Sequence, residues 1–168
     1  VKKCLKLGAD EAEVYIESGR NLNIRVRNGE VETVQEAGSH GVGFRVFVQK
    51  RMAFSSCNDF SDKALENSIE SAVRFAKNTT PDENNVLPDD KGITKVGILC
   101  DSQISQIPKE KKIDMAKKVE KLAMKDSRIT KSSGASYSEG EEEIFLANSN
   151  GLSKSSKVSA CSYGVYVV

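Results

Sequence analysis

The tightest constraint in this sequence is the dipeptide Asn28-Gly29. It tolerates positive φ at both centres of a type I′ turn, the two-residue connection whose twist suits a β-hairpin. Before it, Leu22, Ile24 and Val26 alternate with Asn23, Arg25 and Arg27. With a two-residue turn, Arg27 faces Glu30, Val26 faces Val31 and Arg25 faces Glu32. Opposite charges then meet on one side and apolar groups on the other, and each such pair contributes roughly 0.2–1 kcal/mol. This predicts a hairpin with Val26 and Val31 toward the core. Beyond it the alternation slips, because Val34 shares a side with Glu32, and a bulge is expected there.

The same period of two recurs nearby. Ala12, Val14 and Ile16 alternate with acidic residues and Tyr15, and Val42, Phe44, Val46 and Val48 form a further run. Phe47 falls on the otherwise polar side of that run, which predicts cover on both faces. Gly38-Ser39-His40-Gly41 reads as a loop between strands, and Met52-Ala53-Phe54 as a returning strand. The period then becomes helical. Over 62–77, Leu65, Ile69, Ala72, Val73 and Ala76 share a stripe, with Ser61 as cap and Phe60 stapled onto Leu65. The polar stretch 81–95 reads as a surface connection, and Val96-Gly97-Ile98-Leu99-Cys100 as a short strand. A second helix is expected over 108–125, with Ile113, Ala116, Val119, Leu122 and Ala123 inward. Lys109, Lys111, Lys112, Lys117, Lys118, Lys121 and Lys125 would form its solvated face. Strands at 129–137 and 143–147, a turn at Asn148-Ser149-Asn150-Gly151 and a closing strand complete the order.

Runs of strands interrupted by two helices argue for the α+β class: a mixed, largely antiparallel β-sheet with two main helices. Residues 1–168 read as a single amino-terminal α+β domain of a longer protein, with possible sub-lobes at 1–80 and 96–168. The chain opens on Val1 without Met and closes on an apolar strand ending at Val168, so more protein is expected after it.

Composition narrows the class of function. Hydrophobic residues at 38% and charged residues at 29% are those of a soluble globular protein. No apolar run approaches the ~18 residues of a membrane span, and no basic-then-apolar leader is visible. A net charge of +1 argues against nucleic-acid binding, which normally rests on a clear basic excess. Cys4, Cys57, Cys100 and Cys161 form no C-x-x-C pair and read as free thiols in a reducing cytoplasm.

The candidate chemistry is sparse. His40 is the only imidazole and reads as a surface loop residue. Gly41-Val42-Gly43 lacks the third glycine and the helix of a dinucleotide fingerprint. Glu139, Glu141, Glu142 and Glu143 read as a solvated turn leading into a strand. The sequence therefore offers no catalytic residue, no cofactor-binding residue and no metal ligand set.

Six stretches taken in order carry a resemblance: Gly8-Ala9-Asp10-Glu11-Ala12-Glu13-Val14, the run from Val26 to Val34, Gly41 to Val46, Phe54 to Asp59, Asp126 to Ile129, and Leu146 to Gly151. Collinear over roughly residues 8–155, they resemble the amino-terminal domain of the TldD/PmbA family, once labelled modulators of DNA gyrase. The segments around Ser55-Ser56-Cys57-Asn58-Asp59 and Asn148-Ser149-Asn150-Gly151 resemble the PmbA branch.

The resemblance implies a metallopeptidase-related protein two to three times this length, in which PmbA-like and TldD-like subunits pair. The TldD-like partner is implied to carry zinc on an H-E-x-x-x-H motif with a distant cysteine, and the pair to trim or degrade peptides and unfolded polypeptide. No family catalytic residue maps onto this sequence. Three functions follow as expectations. One is a non-catalytic scaffold joined to a TldD-like subunit, or self-associated, in a cytoplasmic assembly. Another is a non-enzymatic, protein-binding regulator of the gyrase-modulator type. The third is the amino-terminal domain of an active zinc peptidase whose motif lies further along.

Overall fold

A computed structural model describes residues 1–92, 97 and 99–168. The elements are α1 (Lys2–Lys6), β1 (Glu11–Arg27), β2 (Glu30–Val48), β3 (Arg51–Cys57), α2 (Asp62–Ala76), α3 (Gln103–Gln106), α4 (Lys109–Ala123), β4 (Ser132–Asn148) and β5 (Ser153–Val167). The strands form one antiparallel sheet in the order β3-β2-β1-β4-β5, so the α+β class holds. Of the strand expected at 96–100, Val96 and Ile98 lie outside the described residues.

The strands are longer than the alternation suggested. The runs at 12–16 and 22–26 belong to one strand, β1, and Gly38-Ser39-His40-Gly41 lies inside β2 rather than in a loop. Glycine weakens a strand locally, but β2 keeps β1 as a hydrogen-bonded neighbour, and that pairing outweighs propensity. Glu139–Glu143 likewise lie within β4, not in a turn.

The residues gather into two compact units, each built from three stretches: Val1–Ser18, Ser39–Lys95 and Glu143–Ser156 in the first, Gly19–Gly38, Val96–Glu142 and Lys157–Val168 in the second. In the first unit, Ile69, Ala72, Val73 and Ala76 of α2 pack with Ala12, Val42, Phe44, Val46, Val48 and Ala53. Helix α2 begins where Ser61, in an extended conformation, accepts the Ala64 N–H at 3.4 Å on its hydroxyl. Each fully buried large aliphatic side chain here contributes roughly 1.5–3 kcal/mol. Phe47 is buried as well as its neighbours Val46 and Val48, so this part of β2 is covered on both faces, as expected.

Strand β3 returns along β2 from Val48↔Arg51 to Val42↔Cys57. The connection is Gln49-Lys50, with φ of 50° and 62°, a left-handed pair containing no glycine. Neighbours compensate: Asp10 Oδ2 accepts the Gln49 N–H at 2.7 Å, and the Lys50 carbonyl accepts from Asp82 N at 3.0 Å and Asn85 Nδ2 at 2.9 Å. The connection at 81–92 is mostly exposed but pinned. Leu87 is buried, and Asn148 and Asn150 donate side-chain amides to the carbonyls of Pro88 and Leu87.

In the second unit, Leu22, Ile24 and Val26 of β1 and Ala135 and Tyr137 of β4 pack with Ala116 of α4. The expected hairpin is present: Asn28 and Gly29 have φ of 53° and 78°, and Arg25 Nε lies 2.6 Å from Glu32 Oε2. One part of that expectation is corrected. Val31 is 41% exposed while Val26 is fully buried. Helix α4 gives its apolar contacts to β1 and β4, so the β2 partner of Val26 stays uncovered.

Candidate functional site

Helix α4 departs most from its expected amphipathic reading. Its buried residues are Lys112, Ala116 and Glu120, one stripe at i, i+4 and i+8, whereas Leu122 is exposed. Lys112, assigned above to the solvated face, is 2% exposed. Its ammonium lies 2.7 Å from both carboxylate oxygens of Glu139 and faces the Tyr137 ring, 6.0 Å from the centroid. The Tyr137 hydroxyl donates to Glu139 Oε2 at 2.8 Å. Burial pushes that hydroxyl's pKa up, and the adjacent Glu139 carboxylate adds to the rise. Buried charges persist only when paired and hydrogen-bonded, and this group meets that condition.

At the other end of the stripe, Glu120 receives the N–H groups of Asn28 at 3.0 Å and Gly29 at 2.8 Å, together with the Ser132 hydroxyl. The carboxylate thus caps the very turn that the sequence singles out. Burial pushes its pKa up, but the bonds from Ser132, Gly29 and Asn28 and the Arg27 charge outweigh that and hold it below the ordinary value. The i, i+4, i+8 spacing of Lys112, Ala116 and Glu120 was visible in the sequence. Charge at two of the three positions disguised it as a wet face.

A second feature is open backbone. Eleven successive residues of β2, Glu30–His40, are exposed. Strand β3 pairs with β2 only from Val42 to Val48, so among the described residues that stretch has no partner strand on its outer side. Glu32 is neutralised by Arg25 and Arg27, and Glu36 by Arg20 and Lys109. The run also carries the exposed apolar side chains Val31 and Val34.

A third feature lies in the first unit. His40 is exposed within β2, stacks on Phe60 at 5.3 Å between ring centroids, and lines a groove of about 570 Å³ with Tyr15, Glu17, Gly43 and Phe54. No element of the sequence pattern marked this groove. Its residues come from three strands and meet only through pairing.

The metal-ligating types are scattered. Cys4 is buried, Cys57 and Cys100 are half-buried, Cys161 is exposed, and all four are free. Among the described residues, no three His, Cys, Asp or Glu side chains converge in a way that could hold a metal ion. No helix of the described residues is long and apolar enough to cross a membrane.

Two descriptions of known domains match the chain in series: the PmbA/TldA metallopeptidase domain 1 over residues 12–76 and the PmbA/TldA metallopeptidase central domain over residues 102–168. The chain belongs to the PmbA/TldD family. Among PmbA/TldD relatives, it is 29% identical over 157 residues to the Metalloprotease PmbA homolog of Haemophilus influenzae, covering 92% of this chain and 35% of that protein. It is 26% identical over 146 residues to Metalloprotease PmbA of Escherichia coli O157:H7, covering 86% and 32%. The chain therefore spans about a third of these curated relatives.

A crystal structure from Bacteroides thetaiotaomicron, described as a candidate modulator of DNA gyrase, superposes with a TM-score of 0.87 at 29% identity, covering 96% of this chain and 38% of that one. TldE from Thermococcus kodakarensis superposes with a TM-score of 0.85 at 20% identity, covering 99% and 38%, a likeness of fold. The PmbA/TldD names imply a metal, and the described residues of this chain do not fit one. The sole imidazole is stacked on Phe60, while Glu13, Glu36 and Glu139 are each held by Lys or Arg.

Proposed function

We propose that this chain is a non-catalytic scaffold and partner-binding part of a PmbA/TldD-type metallopeptidase assembly that trims or degrades peptides and unfolded polypeptide. The observation that carries the reading is the run Glu30–His40, exposed throughout and, among the described residues, lacking an outer partner strand. Such an edge accepts an extended segment by strand addition, from main-chain bonds and without catalytic side chains. Free edges are usually blunted in proteins that act alone. A TldD-like subunit, or a second copy of this protein, is the proposed occupant of the assembly, and the TldD-like subunit the source of zinc. Four free cysteines support a reducing, cytoplasmic setting.

Peptide hydrolysis at neutral pH needs an activated nucleophile or a metal-bound water. The deciding experiment assays unstructured peptides with this protein, with a TldD-like partner, and with the two mixed. Cleavage that needs the partner's zinc and rises when this protein is added supports the proposal. Zinc-dependent cleavage by this chain alone, or a partner indifferent to it, defeats it. The description of the Bacteroides thetaiotaomicron protein as a candidate modulator of DNA gyrase favours a second reading, a non-enzymatic regulator. Direct binding to gyrase with no TldD-like subunit present would select it.

A further inference from the structure

The groove beside His40 has a composition that points to one kind of ligand. Its walls come from Tyr15 on β1 and Phe54 on β3, and Phe54 is 58% exposed although it is a large apolar ring. Gly43 lies beneath the Phe54 ring. A Cβ on Gly43 would lie 2.8 Å from Phe54 Cε2, so the bare backbone is what lets that ring lie across the strand. The Phe54 ring lies over that backbone and keeps an exposed face on which a flat group can stack.

The electrostatics have one sign. Glu17 is the charged residue of the lining, and no Lys or Arg is among the described residues that line the groove. Four positions earlier on β1, and so on the same side of the strand, Glu13 is neutralised by Arg45 at 2.6 Å. Among the described residues, Glu17 has no such cation. Its Oε2 accepts from the Tyr15 hydroxyl at 3.3 Å. A carboxylate with no cationic partner among the described residues, in a groove lined by two aromatic rings, attracts a planar cation, which can stack on a ring and donate in parallel to both oxygens. Guanidinium matches that geometry and ammonium does not. The groove is open rather than enclosed, unlike the pockets that surround a small molecule.

We propose that this groove is a binding site for an arginine side chain presented by an extended polypeptide, with Glu17 pairing the guanidinium and Tyr15 and Phe54 stacking on it. The site stands on the geometry of the first unit alone and does not depend on which assembly the chain joins.

The test is titration calorimetry of the intact protein with short acetylated and amidated peptides carrying arginine, leucine or glutamate at the centre, and with free L-arginine. The arginine peptide should bind about tenfold more tightly than the others and than free L-arginine. Glu17→Gln and Phe54→Ser alter solvent-facing groups, and each should weaken the arginine peptide about three- to tenfold at unchanged circular dichroism. A leucine peptide or free L-arginine that binds as well as the arginine peptide would overturn the assignment. So would unchanged affinity in either variant. The assay contains no partner subunit and reads no cleavage, so its failure would leave the proposed assembly role standing.

Discussion

Lys112 and Glu139 form an ion pair at 2.7 Å with side chains only 2% and 8% exposed. A pair this dry gains little over a hydrophobic replacement of both partners, but losing one partner strands the other charge. Lys112→Met should therefore cost about 3–5 kcal/mol of stability. Adding Glu139→Gln, which keeps an acceptor for the Tyr137 hydroxyl, should recover most of that loss. Urea unfolding of the two variants beside the wild type measures it, and equal loss in both would show that the pair is not the source.

Gly29 has φ of +78° and open space around its missing Cβ. A side chain there meets no neighbour, so the cost of replacement comes from the backbone alone. Gly29→Ala should lose about 1–2 kcal/mol, and Gly29→Val more, because a β-branched residue resists the left-handed region further. Unchanged thermal stability in Gly29→Val would refute the turn's dependence on this conformation.

Gly134 combines both kinds of constraint. Its φ is +113°, and a Cβ would sit 2.9 Å from the Val26 carbonyl oxygen, a backbone atom with little room to yield. Gly134→Ala should cost about 2 kcal/mol or more, exceeding Gly29→Ala. Comparing the two midpoints in one denaturant series tests the ranking.

Glu120 supplies a pH signature. Its folded pKa lies below the ordinary 4.5, so its contribution is fully present above that value and is lost as pH falls through the lower folded value. The stability gap between wild type and Glu120→Gln should be constant above about pH 6 and shrink below about pH 4.5. Unfolding curves across that range read it directly. A gap that widened toward acid would contradict the assigned sign.

The chain should carry no stoichiometric zinc after exhaustive dialysis, since no ligand set converges among the described residues. Elemental analysis decides the matter, and one tightly held zinc per chain would overturn it.

Much of the local structure was legible because it depends on neighbours in sequence. Asn28-Gly29 announced its turn, Ser61 its helix, and the pair of Arg25 with Glu32 followed from counting across two residues. What escaped depends on partners far along the chain. Gln49-Lys50 makes a left-handed turn only because Asp10, Asp82 and Asn85 hold it. Lys112 reads as solvated until Glu139 is known to wait behind it, and Glu139 reads as a turn residue for the same reason. Val31 fails in the opposite direction: its pattern is that of a core residue, but α4 spends its cover on β1 and β4. The groove of Tyr15, Glu17 and Phe54 was invisible, being assembled by strand pairing from segments with no shared motif.

The length of β1 restricts how this gene can change. Ala12, Val14 and Ile16 serve one apolar cluster and Leu22, Ile24 and Val26 the other, all at even-numbered positions of one uninterrupted strand. Losing a single codon between Ser18 and Asn21 would swap odd for even in one cluster, sending arginine and asparagine side chains where leucine and isoleucine belong. Length variation along this strand is therefore admissible only in twos. It must also be matched in β2, or the Asn28-Gly29 turn would drift away from the Glu120 carboxylate that holds it.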